Sequence, residues 1–208
     1  GELIVFGPQA SPRYVTRTEC NASAKIADAR AGASSPPVFW HRMDDVGYLD
    51  GTGRFWYCGR KSHRVETRNG PLFTECVEAI FDAHPDVKRS ALVSIGATDQ
   101  QVPVICILPR APLQQLSTFT GLQPENAADA LLRLGGGHRL TIGIRATVFL
   151  PAFPVDVRHN SKILRELLHD WVCRAIIDDI DLYPRELSEC VLNSRDKMKR
   201  PPPFAVMR

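Results

Sequence analysis

Hydrophobic and polar residues change rhythm along the chain, and each change predicts an element. Residues 2–6 (ELIVF) are an apolar run bounded by glycine, a strand pattern. The loop GPQASPRY follows, and RTECNASAKIADA is predicted as a helix. Residues 30–37 (RAGASSPP) read as a loop of small residues and proline. VFWHRM and GYLD predict two strands, DGTG is a strong turn signal, and RFWYCG returns as the second arm of an aromatic-rich hairpin.

A second unit begins near Arg60. HRVET predicts a short strand and RNGP a turn, and ECVEAIFDAH places Cys76, Val77, Ile80 and Phe81 on one helical face. HPDVKRSALVSIG gives a proline-marked stop and then a buried strand, and VPVICILP is a further apolar strand. QPENAADALLRLG predicts a helix ending at glycines 135–137, where LGGGH lacks the spacing of a phosphate loop and reads as a helix stop. LTIGIRATVFLP predicts a strand. Strands and helices alternate without an internal repeat, so the class is α/β or α+β. Beyond Asp178 the chain is polar and ends DKMKRPPPFAVMR, whose three prolines forbid a helix. This tail is expected to be disordered.

The segment VDVRHNSKILRELL, residues 155–168, joins a polar loop to an apolar helix. Asn160 or Ser161 supplies a helix cap. Ile163, Leu164, Leu167, Leu168 and Trp171 then recur at helical spacing. Lys162 falls in the first turn, where the helix dipole gives a cation no advantage. Helix starts do offer N–H groups to phosphates, so an anion would meet both. Taken alone, such a lysine is ordinarily a solvated surface residue.

Composition narrows the function classes. With 208 residues, 44% of them hydrophobic, the chain holds one or two domains with a core. A net charge of +3 suits an anionic ligand and falls short of a nucleic-acid-binding signature. No apolar run approaches the roughly 18 residues that span a bilayer. Cys20, Cys58, Cys76, Cys106, Cys173 and Cys190 form no CxxC pair, and the histidines lack ligand spacing, so no metal site is expected. Free cysteines among apolar neighbours point to the reducing cytoplasm. The chain opens GELIVFG without a methionine, which predicts a piece of something longer.

The order of motifs is specific. DDVGYLDGTGRFWYCGRK precedes VEAIFDAHPDVKRSALV, and HNSKILREL comes much later. This order resembles the C-terminal part of the acyl-adenylate-forming ligases, the superfamily of acyl-CoA synthetases, luciferases and peptide-synthetase adenylation domains. The wording GRFWYCGRKSHRVET and FPVDVRHNSKI looks like the olefin-biosynthesis branch, whose members close 3-hydroxy acids to β-lactones with ATP. The resemblance implies an α+β fold. Residues 1–60 would be the last strands of a large domain, 61–176 a small mobile domain, and 177–208 a tail.

The resemblance also implies roles. Lys162 would be the catalytic cation between carboxylate and α-phosphate, which suits a compact charge on a flexible stem. Asp45 would accept hydrogen bonds from the ribose hydroxyls of ATP, and Arg60 would contact the same ribose. Read from the residues alone, Asp45 caps a turn at the end of a strand and Arg60 makes a surface ion pair. Ser62 would be the hinge, where many relatives carry Asp or Lys, and Glu78 a structural residue of the first small-domain helix. ATP with Mg2+, a long-chain acyl acid and CoA are the implied small-molecule partners, together with a missing N-terminal domain of the same polypeptide.

Three departures follow. The family usually has Gly where this chain has Asp44, so either Asp44 points away or ATP affinity suffers. The family commonly has proline ahead of the Glu78 helix, where this chain has Thr74 and Glu75, an acidic first turn. Thioester-forming relatives often carry glycine nine residues after the motif arginine; here that residue is Asn69, with Gly70 next, which favours lactone closure over CoA transfer. The phosphate loop, adenine pocket and acyl tunnel of the family lie upstream, so this chain alone is expected to be inactive. A fatty acyl-CoA ligase is the alternative chemistry, and a truncated non-catalytic interaction module the alternative of another class.

Overall fold

The computed structural model describes residues 1–28, 39–96, 101–111, 124–157 and 159–178. The fold is α+β and divides into two compact units, Gly1–Ser62 and a second from His63 onward.

The first unit is an antiparallel sheet around one long strand. Strand β3 (Phe39–Leu49) pairs with β1 (Glu2–Phe6), β2 (Lys25–Ala27) and β4 (Phe55–Arg60). VFWHRM and GYLD are therefore a single strand, not two. Asp44 is the reason the two halves look separate: it has φ 62°, in the left-handed region that Asp tolerates better than most residues. Between Glu2↔Val46 and Ile4↔Arg42, β3 spans two more residues than β1, so a bulge centres on this position. The helix expected over RTECNASAKIADA is also corrected. A 3-10 turn (Thr18–Cys20) and one helical turn, α1 (Asn21–Ala24), bury nothing, whereas Lys25, Ile26 and Ala27 gain ladder partners in His41, Trp40 and Phe39.

Asp50 fixes the β3–β4 hairpin. Its carboxylate accepts from the Thr52 hydroxyl at 2.7 Å, the Trp56 indole N–H at 2.8 Å and the Arg54 backbone N–H at 3.0 Å. These bonds, the Thr52 hydroxyl foremost, hold its pKa well below the usual carboxylate range.

The second unit is three-layered. Strands β7 (Val87–Ile95) and β8 (Val102–Pro109) pair antiparallel, and β9 (Ala146–Phe149) joins β8 in parallel. Ala91, Val93, Val104 and Cys106 pack against Leu168, Val172 and Ile176 of α4 (Arg165–Asp178). Leu92, Ile105 and Ile107 face Val77 and Phe81 of α2 (Thr74–Asp82) and Leu131 of α3 (Pro124–Gly136). Burial on both faces explains the unbroken apolar runs of β7 and β8. The strand expected over 140–151 shrinks to β9, because Thr141 turns the chain with hydrogen bonds to Gly135 and His138. A small hairpin, β5 (Val65–Thr67) and β6 (Gly70–Leu72), precedes α2, and β10 (Val155–Asp156) with β11 (His159–Ile163) precedes α4.

The loop expectation over 30–37 and the tail expectation after Asp178 lie outside the described residues. Among the described residues no helix is long and apolar enough to cross a membrane.

Candidate functional site

The β3–β4 register builds the first cluster. It sets Asp45 opposite Arg60 and Gly47 opposite Tyr57, with a shift between Val46 and Gly47. Arg60 Nε lies 3.7 Å from Asp45 Oδ1, and the Tyr57 hydroxyl donates to the same oxygen at 3.4 Å. The Asp45 side chain is 19% exposed and that of Arg60 46%. An exposed pair of this kind contributes at most about 1 kcal/mol to stability. Chemically it offers a fixed carboxylate acceptor beside guanidinium and phenol donors, a set that suits vicinal hydroxyls. Asp45 does not end a strand, because β3 continues for four residues to Leu49.

Gly47 makes the close approach possible. A Cβ there would lie 2.2 Å from the Trp56 carbonyl oxygen and 2.5 Å from the Phe55 ring. Tyr57 was not among the sequence-predicted site residues. Inside the run FWYC nothing marks it; only the hairpin register brings it to Asp45.

Asp44 and Asp45 are engaged separately. The Ser62 hydroxyl donates to Asp44 Oδ2, so the Asp44 carboxylate is held at the 3-10 turn Lys61–His63. Next to it, Glu2 accepts from Arg42 Nε at 3.1 Å and from Lys61 Nζ at 3.1 Å. Those bonds, Arg42's first, push the Glu2 pKa down to about 2 against the effect of burial.

Lys162 belongs to the second unit, and its predicted setting is corrected. It lies in strand β11, not in the first turn of a helix. Its neighbour Ile163 pairs with Val155 and is buried in the core, and Leu164 N–H donates to the Pro154 carbonyl at 2.8 Å. The helix starts only at Arg165, three residues further on. Its side chain is exposed.

Glu78 of α2 is a structural centre. Its carboxylate takes a two-pronged ion pair from Arg165, at 2.8 and 3.1 Å, and accepts from Leu92 N–H at 2.8 Å. Burial raises its pKa although Arg165 opposes this. Arg165 was not singled out in the sequence. Thr74 and Glu75 do open α2, with Glu75 in its first turn.

Asn69 is exposed in the β5–β6 turn. Gly70 carries φ 107°, so the turn geometry accounts for Gly70 and makes no demand on Asn69. No group of three or more His, Cys, Asp or Glu side chains converges among the described residues, so they do not by themselves build a Mg2+ cage.

No protein-family profile matches the chain. The olefin β-lactone synthetase of Xanthomonas campestris pv. campestris is 44% identical over 174 residues, covering 84% of this chain and 30% of the relative. The synthetase of that name from Stenotrophomonas maltophilia is 45% identical over 171 residues, covering 82% of the chain and 29% of the relative. In fold, the amide bond synthetase McbA from Marinactinospora thermotolerans superposes with a TM-score of 0.61 at 20% identity, over 83% of this chain and 30% of that one. O-succinylbenzoate coenzyme A synthetase of Bacillus subtilis, in complex with ATP and magnesium, gives 0.59 at 20% identity, over 79% and 29%. The chain thus spans about 30% of the length of the relatives it matches.

Proposed function

The chain belongs to the acyl-adenylate-forming ligase superfamily as a C-terminal part of it, and from that premise we propose that it closes an AMP-forming ligase converting 3-hydroxy fatty acids to β-lactones. The carrying observation is the 44% identity over 174 residues with a synthetase of that name.

In this reading Gly1–Ser62 finishes the large domain, the unit from His63 is the small one, and Ser62 lies at their hinge. Asp45 and Arg60 hold the ribose of ATP, and Tyr57 fixes the Asp45 carboxylate that does so. The substrate carboxylate attacks the α-phosphorus, an acyl-adenylate forms and pyrophosphate leaves. Two anions approach in that step, and Lys162 supplies the cation between them. The 3-hydroxyl then gives up its proton to solvent as its oxygen attacks the acyl carbon, the acyl–phosphate bond breaks, and AMP departs as the lactone closes. ATP and its Mg2+ are the cosubstrate and metal of this reading.

A thioester product is the second reading. Gly70, next to Asn69, has φ 107°, and that turn accounts for a glycine at 70 without reference to a CoA arm, so the Asn69 position does not exclude a thioester.

The test uses the full-length polypeptide with ATP and a long-chain 3-hydroxy acid, with and without CoA. Pyrophosphate release and a β-lactone without CoA are expected, and Lys162→Ala abolishes both. Release only with CoA, and a thioester product, would turn the assignment to an acyl-CoA ligase. No release at all overturns the enzyme reading and favours a binding module. The 208-residue chain alone is expected to release none.

A further inference from the structure

The backbone that follows Lys162 is held at each of the next three residues. Ile163 is buried, Leu164 N–H is bonded to Pro154, and Arg165 opens α4. Arg165 is the outermost of these anchors and the most elaborate. Its side chain is 15% exposed, and the guanidinium grips Glu78 with both terminal nitrogens, while Nη1 also donates to the Leu92 carbonyl at 2.9 Å.

Glu78 completes the clip. Its Oε1 accepts from Leu92 N–H at 2.8 Å, so one carboxylate and one guanidinium together satisfy both backbone groups of Leu92 on β7. Further back along β7, Asp82 accepts from Ser90 N–H at 2.6 Å. The side chains of α2 and α4 thereby take the place of a further strand beside β7. The consequence for Lys162 is geometric. α2, β7 and the first residue of α4 form one bonded unit, and Lys162 sits three residues ahead of it.

We propose that Glu78 and Arg165 are positioning residues for Lys162: they fix the strand-to-helix corner that aims its ammonium. The inference rests on the adenylate-forming role given to Lys162 above. A bidentate fork sets direction as well as distance, so a lysine at position 165 keeps the charge and loses the alignment. Small misplacements of a charge-stabilising group reduce turnover on the order of 10²-fold.

The test measures pyrophosphate release by the full-length polypeptide in four forms: wild type, Lys162→Ala, Arg165→Lys and Glu78→Gln. Amide exchange of Leu164 and of the β8 backbone is read on the same samples. The inference expects kcat to fall in Arg165→Lys and Glu78→Gln while the KM for ATP holds, since Asp45 and Arg60 belong to the other unit. It also expects Leu164 exchange to quicken by more than the general increase that lost stability gives β8. Glu78→Gln, the isosteric change, decides the matter if Arg165→Lys fails to fold. Unchanged kcat in both variants overturns the proposal. So does a joint fall of kcat and ATP affinity with Leu164 and β8 exchange quickened equally, which marks a purely structural pair. Failure of the underlying reading looks different: wild type releases no pyrophosphate, or Lys162→Ala matches it, and the positioning role falls with it.

Discussion

The Ser62 hydroxyl donates a hydrogen bond to the carboxylate of Asp44, eighteen residues earlier on the bulge of β3. At both positions the family resemblance leads one to expect other residues, Gly at the first and often Asp or Lys at the second. The departures are partners. Ser62→Ala is expected to cost up to about 1 kcal/mol with Asp44 present, the usual range for an exposed hydrogen bond. In an Asp44→Gly background the same change should cost nothing. Glycine itself relieves the left-handed conformation, so the single Asp44→Gly change stays near neutral. A double-mutant cycle by chemical denaturation checks this, and strict additivity would exclude the coupling.

Glu2 gives the first unit an acid limit. Its pKa is lowered from 4.5 to about 2 by Arg42 and Lys61, so the folded state binds this proton less readily than the unfolded chain. The stabilisation is therefore complete above pH 4.5 and is lost as pH falls from there towards about 2. Glu2→Gln should flatten that part of the stability profile and leave the neutral range without a slope. Denaturant midpoints collected across the acid range are the measurement; an unaltered acid slope in the variant would assign it to other carboxylates.

Parts of this architecture were legible in the residues for identifiable reasons. β7 and β8 are buried on both faces, so continuous apolar runs announced them. The hairpin of β3 and β4 was marked by the glycine-rich turn that Asp50 organises. Lys162 was placed on the wrong element because Ile163, Leu164, Leu167 and Leu168 match a helical period across a boundary. Ile163 belongs to a strand paired with Val155, and Leu164 is 39% exposed, so the period is coincidental at its start. Nothing in a one-dimensional pattern separates a strand that abuts a helix from the helix itself. Tyr57 and Arg165 escaped notice because their meaning is relational. One depends on a strand register, the other on a partner 87 residues away.

Gly47 should tolerate no side chain. The Cβ of Gly47→Ala would meet the Trp56 backbone carbonyl at 2.2 Å, and backbone gives way less readily than a side chain. Overpacking of this kind costs about 1–3 kcal/mol. The strain falls on the rung that carries Tyr57, two steps from the Asp45–Arg60 rung. In the full-length polypeptide, ATP binding should weaken along with stability, whereas Gly51→Ala, with open space around its Cβ, should leave both unchanged. Calorimetric titration with ATP and a thermal melt of the two variants distinguish them.

The Glu78–Arg165 pair makes a sharper stability prediction than its burial alone suggests. Removing one partner of a buried ion pair typically costs about 3–5 kcal/mol, because the remaining charge is stranded. Replacing both by apolar residues is often neutral in other proteins. Here it should not be. Glu78 accepts from Leu92 N–H and Arg165 donates to Leu92 C=O, so an apolar pair leaves both groups of an interior strand residue unsatisfied. Arg165→Met is expected to lose about 3–5 kcal/mol. The double variant Glu78→Leu with Arg165→Met should recover only part of that, with a residual loss of about 1–3 kcal/mol for each orphaned backbone group. Denaturation of the second unit followed by far-ultraviolet circular dichroism measures both. Full recovery in the double variant would mean that water replaces the clip at β7, and that the pair is dispensable for holding this edge.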